Sequence, residues 1–150
     1  MHLKKLQVII SVLVISSISL AGCSHSSKIS QNRINRVIDV AEKQYTRMLE
    51  VSTDLTKYPR TSNPDGSVKY VSIRDWTGGF WPGSIWYLYD FTKKDAWEKA
   101  AVKWTESLES NQYNTTHHDI GFMMYCSYGN AIRHINSENY KEILIQSAKS

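Results

Sequence analysis

The chain has only two cysteines, Cys23 and Cys126. Cys23 follows Leu20-Ala21-Gly22, the small-residue context in which a lipobox cysteine is acylated and the chain is cut just before it. With Cys23 lipidated, Cys126 stands alone and no internal disulfide can form. Long apolar runs are scarce as well. The longest, Leu6 to Leu20, is shorter than the roughly 20 apolar residues of a membrane span. It follows a basic start of His2, Lys4 and Lys5, which is the build of a secretory signal. Charge of one sign is also missing. Losing residues 1–22 removes two lysines and no acid, which takes the formal net charge from +4 to +2. That excess is too weak and too scattered to argue for a nucleic-acid partner. No internal repeat appears, and no segment shows a convincing strand pattern.

These features divide the chain into a lipoprotein signal peptide (1–22), a polar tether (23–31) and a domain (32–150). They imply an exported protein, held by a lipid anchor to a membrane on the periplasmic face or the cell surface of a bacterium.

Aromatic residues are what the chain has in abundance. It carries five Trp and nine Tyr, and every Trp falls between Trp76 and Trp104. Some should fill a core, and some should line a sugar cleft, because flat apolar rings match the C–H faces of pyranoses. Trp97 and Trp104 fall on a core stripe. Trp81 and Trp86 fit either place.

Periodicity predicts a helix over 31–51, with Ile34, Val37, Ile38, Ala41, Tyr45, Met48 and Leu49 on one stripe. Residues 52–80 read as a long irregular loop, broken by Pro59, Pro64, Gly66, Gly78 and Gly79, with a turn at Asn63-Pro64-Asp65-Gly66. A helix starting at Pro82 and running to about Phe91 is apolar on most sides. A second, over 95–108, is amphipathic and capped by Asp95. The pattern repeats with an apolar helix over 120–135 and an amphipathic one from Ser137 onward. Buried helices thus alternate with covering ones, as concentric helical hairpins require; a simple bundle predicts one stripe on every helix.

Three clusters carry polar chemistry. They are Tyr58-Pro59-Arg60-Thr61, Asp75-Trp76-Thr77-Gly78-Gly79-Phe80-Trp81-Pro82-Gly83, and Thr116-His117-His118-Asp119-Ile120-Gly121-Phe122. The last two lie just before the predicted inner helices, at the mouth of a helical barrel. Asp75 reads as ordering the glycine-rich loop. Asp119 can cap its helix or point into the cavity, and the two roles do not exclude each other. His117, His118 and Asp119 make a poor metal site, because adjacent residues rarely bind one metal together. Cys126 reads as a small buried filler.

The Asp-Trp-Thr-Gly-Gly-Phe-Trp-Pro-Gly block, followed by His-His-Asp-Ile-Gly-Phe, resembles the unsaturated glucuronyl hydrolases, glycoside hydrolase family 88. The resemblance runs over about residues 32 to 150. It implies an all-α (α/α)6 barrel, of which only the first part is present. It further implies an enzyme that removes 4,5-unsaturated uronic acid from the non-reducing end of lyase-generated oligosaccharides, with no metal or organic cofactor. An acid protonates C4 of the vinyl ether, water adds at C5, and the hemiketal collapses. Asp119 matches one of the family's two catalytic-site aspartates, His118 a substrate-contact histidine, and Trp76 the tryptophan that walls the sugar site. The second aspartate belongs to a later inner helix and has no counterpart before residue 150. The chain therefore reads as an N-terminal portion, inactive alone. Two rivals are a lipid-anchored glycan-binding protein and an unsaturated rhamnogalacturonyl hydrolase. The Asp119 carboxylate argues against the first, and the His-His-Asp-Ile-Gly-Phe block against the second.

Overall fold

The computed structural model describes residues 30–150. The signal peptide, Cys23 and most of the tether lie outside the described residues.

Helix α1 spans Gln31–Val51, as its apolar stripe predicts. Ile34, Ile38, Ala41, Tyr45, Met48 and Leu49 are half-buried, and none of its residues is fully buried. Val37, expected in the stripe, is exposed. Glu42 fixes α1 to the next outer helix by accepting from Lys94 Nζ and from Trp97 Nε1, both at 2.7 Å. Those bonds hold the Glu42 carboxyl below its ordinary pKa, Lys94 contributing most.

The long loop is not irregular. It holds an antiparallel hairpin of β1, Lys57–Ser62, and β2, Val68–Ser72, with a break in register between Pro59 and Thr61. The expected turn closes it: Gly66 takes φ +83° and its N–H donates to the Asn63 carbonyl at 2.9 Å. The sequence hides these strands because only Tyr58 of the pair is buried, so no alternation marks them. Proline is tolerated at Pro59 because a two-stranded sheet has only edge strands. Tyr58 then anchors the hairpin, its hydroxyl 2.8 Å from Ser107 Oγ.

A 3-10 turn, Trp76–Gly79, leads into α2, Phe80–Thr92. The helix starts two residues before Pro82, which still falls in the first turn, where its missing N–H costs nothing. The outer helix α3 spans Asp95–Glu106, shorter than predicted, because the chain tightens into a 3-10 turn over Glu109–Tyr113. Lys94, not Asp95, is the cap residue, and its own side chain makes no capping bond. Asp95 is instead the first helical residue, where its charge still suits the helix dipole. The predicted helix 120–135 divides into α4, Ile120–Met124, and a π-helical segment, Tyr125–Gly129, and helical winding stops at Ala131. Finally, α5 spans Glu138–Ser147, and its Ser137 cap accepts from the Tyr140 N–H.

Two helical hairpins result, α2–α3 and α4–α5, the α/α pattern of alternating inner and outer helices. Trp81, Trp86, Trp97 and Trp104 all lie in the core, which places the two undecided tryptophans. Trp86 donates its Nε1–H to Thr105 Oγ1 at 2.9 Å and so joins α2 to α3. The inner helices meet almost backbone to backbone. A Cβ on Gly79 would fall 2.2 Å from the Met123 carbonyl oxygen, and one on Gly83 2.5 Å from that of Cys126.

Candidate active site

Asp75 builds the first wall. Its carboxylate accepts from the Thr77 backbone N–H at 2.9 Å and from the Thr77 hydroxyl, and it pairs with Arg60 Nη1 at 3.0 Å. Burial pushes the Asp75 carboxyl up, but the Thr77 bonds and the Arg60 charge outweigh it and hold the pKa below its ordinary value. The first cluster, Tyr58 to Thr61, is thus absorbed: Tyr58 is core and Arg60 braces the Trp76 turn.

The close approach at Gly79 sets three rings together. Trp76 and Phe80 lie 5.6 Å apart, Phe80 and Phe122 5.6 Å, and Trp76 and Phe122 6.3 Å, centroid to centroid. All three are open to solvent, at 43%, 43% and 48%. The sequence singles out Trp76 but not Phe80 or Phe122, which stand beside it. The signal was present in part: Phe122 lies three residues after Asp119, on the same helix face.

The second wall is the loop before α4. His117 lies with Nε2 3.0 Å from the Arg74 carbonyl oxygen, and its Nδ1 accepts from the Asp119 N–H at 3.3 Å. His118 reaches Asp119 Oδ1 at 3.4 Å with a side chain that is 94% exposed. Asp119 sits at the cap position of α4, yet its carboxylate makes no capping bond. Its side chain is about one-third exposed, with Oδ1 near His118 and Oδ2 4.0 Å from His117 Nδ1. Among the described residues, no group of three or more His, Cys, Asp or Glu side chains converges as a metal would need.

The site is an open face rather than an enclosed cavity. A surface hollow of about 610 Å³ lies on α3 around Lys99 and Lys103 and touches none of these residues. A smaller one, about 360 Å³, adjoins the site and is lined by Arg74, Asn114 and Thr116. The three exposed rings and the adjoining loop that carries Asp119, not hollow size, mark this face as the candidate site.

No family model matches the chain. An unsaturated glucuronyl hydrolase of Formosa agariphila is 26% identical over 152 residues, which is 99% of this chain and 38% of that protein. One from a Bacillus species is 39% identical over 72 residues, 45% of this chain and 19% of that protein. Among solved structures, an unsaturated glucuronyl hydrolase specific for heparin superposes with a TM-score of 0.74 at 37% identity, over 80% of this chain and 32% of its own. A Streptococcus agalactiae unsaturated glucuronyl hydrolase, in complex with dGlcA-GalNAc6S, shares the fold with a TM-score of 0.70 at 23% identity, over 81% and 32%. These solved relatives are α/α barrels. In sequence and in backbone, this chain matches the unsaturated glucuronyl hydrolases over about a third of their length.

Proposed function

We propose that this chain forms part of a glycoside hydrolase that removes 4,5-unsaturated uronic acid from the non-reducing end of lyase-generated oligosaccharides. The observation that carries the reading is the exposed Trp76, Phe80 and Phe122 cluster beside a carboxylate that does no capping work. Aromatic faces stack on a sugar ring, and a free carboxylate beside them accepts from its hydroxyls.

The reaction adds a proton to C4 and the oxygen of a water to C5 of the vinyl ether. The hemiketal then opens to a ketone at C5 and a hemiacetal at C1, which releases the rest of the glycan as an alcohol. An ionised Asp119 repels a uronate carboxylate, so it faces the other side of the sugar. It orients hydroxyls and positions the water, His118 contacts the substrate, and Trp76 walls the ring. The proton donor is a second carboxylate, which we assign to barrel helices outside these 150 residues, since the matched relatives are more than twice as long. Paired carboxylates in different protonation states suit this division.

Asp119→Asn keeps the shape and removes the charge. In the intact protein it should lower turnover of an unsaturated disaccharide about 100-fold, the low end for a positioned acid–base group. Near wild-type turnover sinks the assignment.

Among the described residues, no helix is long and apolar enough to cross a membrane. We propose that Cys23 carries the lipid that holds the protein at the membrane. Cys23→Ser should move the protein from the membrane fraction to the soluble fraction. A wild-type protein already soluble after fractionation contradicts the anchor.

A further inference from the structure

We propose that His117 is a positioning residue, a neutral imidazole protonated on Nε2 that clamps the Trp76 turn to the Asp119 loop. The inference rests on the reading of Trp76 and Asp119 as the substrate site.

Two contacts specify the tautomer. The Arg74 carbonyl, 3.0 Å from Nε2, can only accept, so Nε2 carries the hydrogen. The Asp119 backbone N–H, 3.3 Å from Nδ1, can only donate, so Nδ1 is bare. Neither the Nδ1–H tautomer nor the imidazolium satisfies both. The adjacent histidines therefore divide the work. His118 is 94% exposed and free to meet a ligand, while the His117 side chain is 24% exposed and bonded at both nitrogens.

The clamp has a consequence for geometry. Arg74 stands two residues before Trp76, and Asp75 between them is already held by Arg60 and Thr77. On the other side, His117 bonds the backbone of the residue that carries the carboxylate. The imidazole thus ties the two loops together beside the backbone packing at Gly79. The two loops lie 43 residues apart in the chain, and among the described residues no other side chain hydrogen-bonds one to the other. A misplacement of about 1 Å in a site of this kind costs on the order of 100-fold in rate.

Two measurements on the intact protein test this. In protein labelled with 15N-histidine, two-bond 15N–1H correlations near neutral pH should show His117 as the Nε2–H tautomer. For turnover, His117→Gln keeps a donor near the Nε2 position, and His117→Asn keeps an acceptor near Nδ1. Each should lower kcat by about 10-fold and His117→Ala by about 100-fold, with KM and the melting temperature moving far less. An Nδ1–H tautomer overturns the proposal, and so does wild-type kcat in His117→Ala. If the wild type leaves an unsaturated disaccharide untouched, the functional reading fails, while the tautomer still decides the clamp.

Discussion

Two tryptophans ten residues apart do opposite work. Trp86 is fully buried, bonded to Thr105 and stacked on His134 with ring centroids 5.4 Å apart. Trp76 stands in solvent on a turn held by Asp75. Trp86→Ala should therefore cost about 3–5 kcal/mol, as a large core truncation does. Trp76→Ala should cost about 1 kcal/mol, the size of an ordinary substitution, and instead lower kcat/KM. Thermal melts and kinetics of the two variants side by side check this, and a core-sized loss for Trp76→Ala makes that ring structural. The difference was half legible in the sequence. A tryptophan among glycines at the start of a helix points to an open position, but nothing local separates Trp81 or Trp86 from a cleft lining. Phe80 and Phe122 were missed for the same reason. Their value comes from meeting across two elements, and no spacing within either segment records it. Asp119 stands out by its motif, but that its carboxylate makes no capping bond at the helix end is a matter of loop geometry that no local pattern records.

Among the elements, the inner helices depend on two missing side chains. Gly79 and Gly83 stand four apart and let α2 lie against the carbonyls of Met123 and Cys126. Backbone oxygens cannot move aside as a side chain can. Gly79→Ala should cost about 1–3 kcal/mol, the range for forcing extra volume into a packed site, and should pull Phe80 away from Phe122. Gly121 is the control. A Cβ there meets nothing closer than the Ser147 carbonyl oxygen at 3.7 Å. Gly121→Ala should be neutral or stabilise by up to about 1 kcal/mol, the helix-propensity difference. Equal melting temperatures for the two variants contradict the packing described. Helix existence was legible because α1, α3 and α5 carry apolar stripes and the inner helices are long apolar runs bounded by turn residues. Boundaries were less so, because 3-10 and π turns at Glu109–Tyr113 and Tyr125–Gly129 follow packing rather than local preference. The hairpin was invisible for a different reason. It buries one side chain of β1 and stands on backbone pairing and the Gly66 turn.

At the scale of the molecule, the inner helices show apolar faces with no cover among the described residues. Tyr87 and Phe91 on α2 and Tyr125 after α4 are more than half exposed. Large apolar side chains exposed on inner helices mark a surface meant to be covered. Residues 30–150 expressed alone should aggregate or stay partly molten, with weak near-UV circular dichroism, and show no hydrolase activity. A monomeric, cooperative melt of that segment shows that the patch needs no cover. The proposed chemistry stands or falls on the intact protein. The most direct measurement follows the absorbance of the 4,5 double bond of an unsaturated disaccharide together with release of the second sugar. Hydration of the vinyl ether predicts that the absorbance falls in step with sugar release. Sugar release with the absorbance retained, or no change in either, contradicts it.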